Sequence, residues 1–325
     1  MKRNYTFTGD FSPEAVAGVL SIEMILALIA NGVVLVITIY QKKSWKQSST
    51  IFFTSLIMGN LLMTMSYLPF SIAALAAREW IIGSTDEEKQ GTCDFTAFVM
   101  IYCGYVTLMT LSLISIDRFL FIVKPHLHKR FMSPRVALVL VIIVWIVNPL
   151  FFSSGFINGS GIVFQYINNV GVCYAYSDSP IAAAFRLSLI IILLFIIVVT
   201  SVWTFCFTRK FINNQSMIVG ESVYASKKKR LFGIFGSMLL VYGICYIPGT
   251  FFNSSIAKAN APDKFNISAL VLFLLALIVS PVVQSYFRPE INSAIVNIIC
   301  RKMRKKRNRT TPSNASKTNT NSFDL

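Results

Sequence analysis

The stretch FTAFVMIYCGYVTLMTLSLISI (Phe95–Ile116), followed at once by Asp117-Arg118-Phe119, decides how the chain is read. It holds 22 residues without one Asp, Glu, Lys or Arg. A bilayer core of about 30 Å needs roughly 20 apolar residues as a helix, and this run meets that length before charge returns. Alternation at every second residue, the mark of a lipid-facing strand, is absent. Backbone groups in lipid must be paired within the segment, so the run is a membrane helix.

Six further apolar runs of membrane length lie on either side: Val16–Tyr40, Ile51–Leu75, Val136–Ser154, Pro180–Thr208, Leu231–Ala257 and Ile267–Phe287, all uncharged except for Glu23 in the first and Arg186 in the fourth of these. With 54% hydrophobic and only 14% charged residues among 325, the composition agrees with lipid as the main solvent. The fold expected is an all-α seven-transmembrane helix bundle. Met1 to Pro13 is polar and contains an acid, unlike a cleavable signal, so the first run is expected to stay as an anchor.

Orientation follows from the basic residues. The odd-numbered connections and the tail carry 22 Lys and Arg; the other side carries six against nine acids. The basic side is therefore expected in the cytoplasm, with the N-terminus outside. Sequons at Asn4, Asn158 and Asn266 fall outside under this topology and are glycosylation candidates, whereas those at Asn214, Asn308 and Asn314 fall inside. Cys93 and Cys173 both lie at outer ends, where a disulfide would persist.

Other classes fit poorly. The net charge of +16 is dispersed between apolar runs rather than gathered on a face for nucleic acid. Six cysteines without a CxxC pair and two histidines offer no zinc site, and no catalytic constellation or cofactor motif is visible. A transporter or channel would need polar residues along a path at membrane depth, and Glu23, Asn31, Asn60 and Arg186 are few.

The ordered motifs carry a resemblance. Asn31-Gly32-Val33-Val34, Trp80 with Gly83, Cys93 placed 25 residues before Arg118, Asp117-Arg118-Phe119, Trp145, Cys245-Tyr246-Ile247-Pro248 and Ser280-Pro281-Val282-Val283-Gln284 occur in sequence. Together they resemble the rhodopsin-like G-protein-coupled receptors over roughly residues 16–300. The resemblance implies a disulfide between Cys93 and Cys173. It also implies an activation apparatus of Asp117, Arg118, Phe119, Tyr246, Pro248, Ser280, Pro281 and Gln284, with heterotrimeric G protein as partner. Under it, residues 1–15 are an extracellular N-terminus, 16–287 the bundle, 288–300 an amphipathic eighth helix and 301–325 a disordered basic tail. Cys300 is then a palmitoylation candidate, and the Ser and Thr of the tail are sites for receptor kinases and arrestin. Membrane lipid and an unidentified extracellular ligand complete the expected partners.

The departures are as informative. The family's helix-three aspartate for amine ligands is Met100 here, and its retinal lysine falls near Leu274. Helix five has no proline between Ile181 and Thr208, and Lys227, Lys228 and Lys229 stand where an acid often pairs with the helix-three arginine. Raised ligand-independent activity is the expectation. Met100, Tyr102, Tyr105, Arg186, Tyr242 and Tyr246 are candidate pocket residues, with Arg186 as the group for an acidic ligand. Finally, Asn60 replaces the family's sodium-binding aspartate. A neutral amide cannot balance a cation in low dielectric. Agonist affinity is therefore expected to be the same in sodium chloride as in the chloride of a larger cation; a clear sodium-dependent shift would refute this.

Overall fold

A computed structural model describes residues 4–40, 47–157, 159, 161–219, 242–248 and 262–286. Six described helices are long and apolar enough to cross a membrane. The expected sixth span, residues 231–257, lies outside the described residues except for 242–248. The expected eighth helix and tail lie outside them altogether.

The first span is α1 (Pro13–Tyr40). The second is broken into α2 (Ser48–Ser66) and α3 (Leu68–Ala77) at Tyr67. Pro69 lies in the first turn of α3, where its missing N–H costs least. The third span, α4 (Asp86–Val123), begins in a capping box: Thr85 Oγ1 accepts from the Glu88 N–H, and the Glu88 carboxylate accepts from the Thr85 N–H. Three acids in its first turn favour the positive end of the helix dipole. A short helix, α5 (Pro125–Phe131), leads to the fourth span, α6 (Pro134–Phe152), and a 3-10 turn (Ser153–Phe156). The fifth span is α7 (Pro180–Val219) and the seventh α8 (Asp263–Tyr286). A π-helical turn, Tyr242–Tyr246, is what is described of the sixth.

Helices exceed the hydropathy-defined runs at several ends. Hydropathy marks only the lipid core, whereas backbone pairing continues through the headgroup region. The side-chain arrangement is that of a lipid-solvated bundle. Ile22, Ile25, Ile29, Val33 and Val36 of α1 and Leu138, Ile142, Ile146 and Leu150 of α6 face outward, while Asn31, Asn60, Asp117 and Ser280 are buried. Water as solvent would penalise such an apolar surface. α4 is the axis: it packs on α2, α6, α7 and both strands of the hairpin.

That hairpin is an addition to the all-α expectation. β1 (Ile162–Ile167) pairs antiparallel with β2 (Val172–Ser177), and Gly171 in the turn has φ +81°. The β-branched and aromatic run Ile162-Val163-Phe164-Gln165-Tyr166-Ile167 before Asn168-Asn169-Val170-Gly171 was a readable signal for it. Cys93 and Cys173 are joined, with Cα atoms 5.3 Å apart, fastening β2 to the first turns of α4. Beside them Trp80 is fully buried and its indole N–H donates to Thr92 Oγ1 at 3.0 Å.

The disulfide closes a loop of 80 residues. Cys173→Ser is expected to cost roughly 3 to 4 kcal/mol, lowering the melting temperature of the purified protein. Cys206→Ser, at an exposed thiol, is the control expected to leave it unmoved.

Candidate functional site

Three polar or aromatic layers are stacked along the bundle. At the end carrying Arg118, Asp117 Oδ1 accepts from Ser48 Oγ at 2.6 Å and lies 3.0 Å from His128 Nε2. The first contact ties α4 to α2 and the second ties it to α5. Arg118 Nη2 donates to Gln284 Oε1 of α8 at 2.6 Å. Gln284 is thus an acceptor for the arginine from the seventh span. Phe119 packs edge-on against Trp203 of α7, with ring centroids 5.7 Å apart. Four elements therefore meet around the Asp117-Arg118-Phe119 triplet.

Half-way through the bundle, Asn60 Nδ2 donates to Asn31 Oδ1 at 3.2 Å and to Ser280 Oγ at 3.1 Å, while Thr107 Oγ1 lies 3.5 Å from Asn60 Oδ1. Asn31 Nδ2 donates in turn to the carbonyls of Ala27 and Leu277 at 2.8 and 2.9 Å. Spans one, two, three and seven share this knot. Its members are uncharged, so hydrogen bonds alone satisfy it. One residue beyond Ser280, Pro281 interrupts α8, and its carbonyl accepts from Ser285 Oγ. Gly59 permits the approach of α4, because a Cβ there would sit 3.3 Å from Thr107 Oγ1.

Towards the N-terminal face, Met100, Cys103, Tyr174, Leu270 and Leu274 form one buried cluster. Tyr246 is buried and meets Phe273 edge-on at 5.7 Å; Pro248 follows it, partly exposed. Tyr242 lies in the π-helical turn, and its side chain is outside the described set. Arg186 is 3% exposed. Its Nη1 donates to Ser177 Oγ at 3.0 Å, its Nη2 points to the Ala175 carbonyl at 3.4 Å, and its own carbonyl accepts from Tyr105 OH at 3.2 Å. It hooks α7 to β2 directly over α4. Tyr102 packs at the edge of the Met100 cluster, where it stacks on Phe98 and meets Trp145 of α6 edge-on, so it joins spans three and four there.

Glu23 is buried in α1 between Leu20 and Ala27, and its Oε2 has no hydrogen-bond partner among the described residues. The sequon asparagines differ. Asn4 is exposed, whereas Asn266 is 3% exposed within α8, a position that leaves no space for a glycan. Asn158 and Cys300 are outside the described residues. No cluster of metal-binding side chains occurs among the described residues.

Comparison with known proteins agrees with this architecture. The model of the seven-transmembrane receptor (rhodopsin family) matches residues 30–285. The chain belongs to that family, whose members are receptors rather than enzymes. G-protein coupled receptor 161 of Xenopus tropicalis is 31% identical over 138 residues, which is 42% of this chain and 26% of that protein. The D(1B) dopamine receptor of Mus musculus is 28% identical over 134 residues, 41% of this chain and 27% of that receptor. The prostaglandin E2 receptor EP2 subtype of Canis lupus familiaris is 21% identical over 270 residues, covering 76% and 72%. The matched region spans only about a quarter of the length of the first two relatives.

Asn60→Ala is expected to leave Asn31 and Ser280 each short of a buried partner, at about 1 to 3 kcal/mol for each unsatisfied group. The measurement is thermal unfolding in detergent: a fall of several degrees is expected, and an unchanged midpoint would show that the knot does not hold the spans together.

Proposed function

We propose that this protein is a plasma-membrane receptor, N-terminus outside, that transmits ligand binding to heterotrimeric G proteins through Arg118. The observation that carries the reading is the Arg118–Gln284 hydrogen bond between spans three and seven. An arginine at the inner end of a membrane helix is retained for use or for a partner. Here one partner is a neutral amide of the seventh span, and a rearrangement of α8 relative to α4 would break that bond. The family's outward movement of helix six would open the G protein's access to it. The basic inner loops around Lys124–Arg135 and Arg209–Arg230 would meet the G protein and anionic lipid. Arrestin and receptor kinases would act on the tail.

The ligand reading follows from charge. One relative is named for dopamine, yet Met100 here is apolar and supplies no carboxylate for an ammonium group. Another is named for prostaglandin E2. Arg186, buried against β2, favours an acidic or uncharged ligand over a cationic one. Retinal is disfavoured by Leu274, which brings no amine for a Schiff base.

Gln284 acts in this reading as a restraint weaker than a carboxylate, which accounts for the expected basal activity. The Arg118–Gln284 bond is charge-assisted on the donor side alone, and a carboxylate in place of the amide would add an opposite charge and a bidentate geometry. Gln284→Glu should therefore favour the resting state by about 1 kcal/mol, a roughly fivefold fall in ligand-independent output. Arg118→Ala should abolish output at equal surface expression. Nucleotide exchange on purified G protein reads both; a rise on Gln284→Glu, or full activity of Arg118→Ala, would overturn the mechanism.

A further inference from the structure

The segment before α1 is not a loose end. Residues 5–8 run beside the loop that follows α3: the Phe7 N–H donates to the Arg78 carbonyl at 2.8 Å, and the Trp80 N–H to the Tyr5 carbonyl at 3.0 Å. These bonds frame an antiparallel bridge between Thr6 and Glu79. On its other side the segment meets the hairpin turn. The Thr8 N–H donates to the Asn168 carbonyl at 2.9 Å, and Asn168 Nδ2 donates to the carbonyls of Asn4 and Thr6 at 2.9 and 2.8 Å.

A third anchor is the start of α8. Asp263 accepts from the Asp10 N–H at 3.3 Å and from Asn169 Nδ2 at 2.7 Å, and Lys264 Nζ lies 3.4 Å from Asp10 Oδ2. Residues 4–10 thus reach three separate parts of the same face: the loop after the second span, the hairpin and the seventh span.

The fit is close. A Cβ on Gly9 would lie 2.4 Å from the Asn169 carbonyl oxygen, and one on Gly171 would lie 2.8 Å from Leu75 and 3.1 Å from Phe7. Both glycines are needed for the segment to lie flat on the hairpin turn. Tyr5, Tyr166 and Trp80 are buried together, with Tyr166 about midway between the other two rings, at centroid distances of 6.1 and 6.3 Å. Beneath them Val170, Val172 and Tyr174 of the hairpin belong to the same buried cluster as Met100, Leu270 and Leu274. The hairpin thus packs on the Met100 cluster, and the segment lies on the hairpin turn.

We propose that residues 4–12 are a strap that seals the outer mouth of the bundle, so that the ligand enters from the bilayer as an apolar or amphiphilic molecule. Bonds to backbone carbonyls and a buried aromatic triad hold the strap. A peptide or a free ion would have to displace it; a molecule dissolved in lipid would not. The apolar side chains of Met100, Cys103, Leu270 and Leu274, gathered in one buried cluster, suit such a ligand. The inference rests on the bundle's outer half being the ligand pocket, but its test reads chemical access rather than signalling, so a failure of G-protein coupling leaves it standing.

The test uses the full chain in intact cells, with Cys103, Cys206, Cys245 and Cys300 each changed to Ala and with Met100→Cys as reporter. A permanently charged methanethiosulfonate is applied outside, and N-ethylmaleimide, which crosses lipid, is applied in parallel. Labelling is read as mass shift on receptor recovered from the surface. Gly9→Val, which pushes the strap off the hairpin, and Asn168→Ala, which removes two of its bonds, provide two independent openings. The charged reagent is expected to label the strapped receptor at least tenfold more slowly than either opened one, while N-ethylmaleimide labels all three at similar rates. Equal labelling by the charged reagent, fast or slow, in strapped and opened receptors would show that the strap is not the seal. N-ethylmaleimide slowed by the strap as much as the charged reagent would refute entry through the bilayer.

Discussion

The absence of water at mid-membrane is the constraint on which the rest of this structure depends. In that medium a polar side chain must find its partner in another helix, because solvent offers none. Asn60 meets this demand by bonding Asn31 and Ser280 at once, with Thr107 close by. The knot fixes how four spans are rotated and at what depth they meet. From it the aromatic and aliphatic packing extends towards the N-terminal face, and the Ser55–Trp145 bond of 2.9 Å brings in the fourth span. Because no member is charged, the helices are joined by several bonds of moderate strength. Such an arrangement suits a bundle that has to change shape.

At the Arg118 end the same logic operates with one charge in play. Asp117 is engaged by Ser48 and His128, and so joins α4 to α2 and α5. Arg118 reaches instead to Gln284. The acid and the base of the adjacent pair thus report to different parts of the bundle. The glutamine thereby restrains the arginine from the seventh span.

Much of this was legible in the sequence, because hydropathy and charge act locally. Apolar runs of membrane length located the six described spans, and Cys93 and Cys173 are joined as the resemblance implied. What escaped reading depended on distant partners. Gln284 is 166 residues from Arg118, and nothing near either residue announces the bond. The break at Tyr67 is different. Pro69 was visible, but an apolar run through it reads as one span until backbone geometry is known. The hairpin had a local signal, alternating β-formers and a glycine turn, that a search for membrane helices passes over. Residues 4–12 gave no sign at all, since short polar segments bind only where a folded surface receives them.

One detail of that N-terminal face bears on how tightly the first two spans are tied at their ends. The Glu14 carboxylate, in the first turn of α1, is paired with Arg78, the residue that ends α3. Both side chains are exposed, so water and dissolved salt screen the pair. Raising the ionic strength would slacken this clasp between the amino-terminal helix and the loop after the second span, while the buried knot around Asn60 would stay as it is.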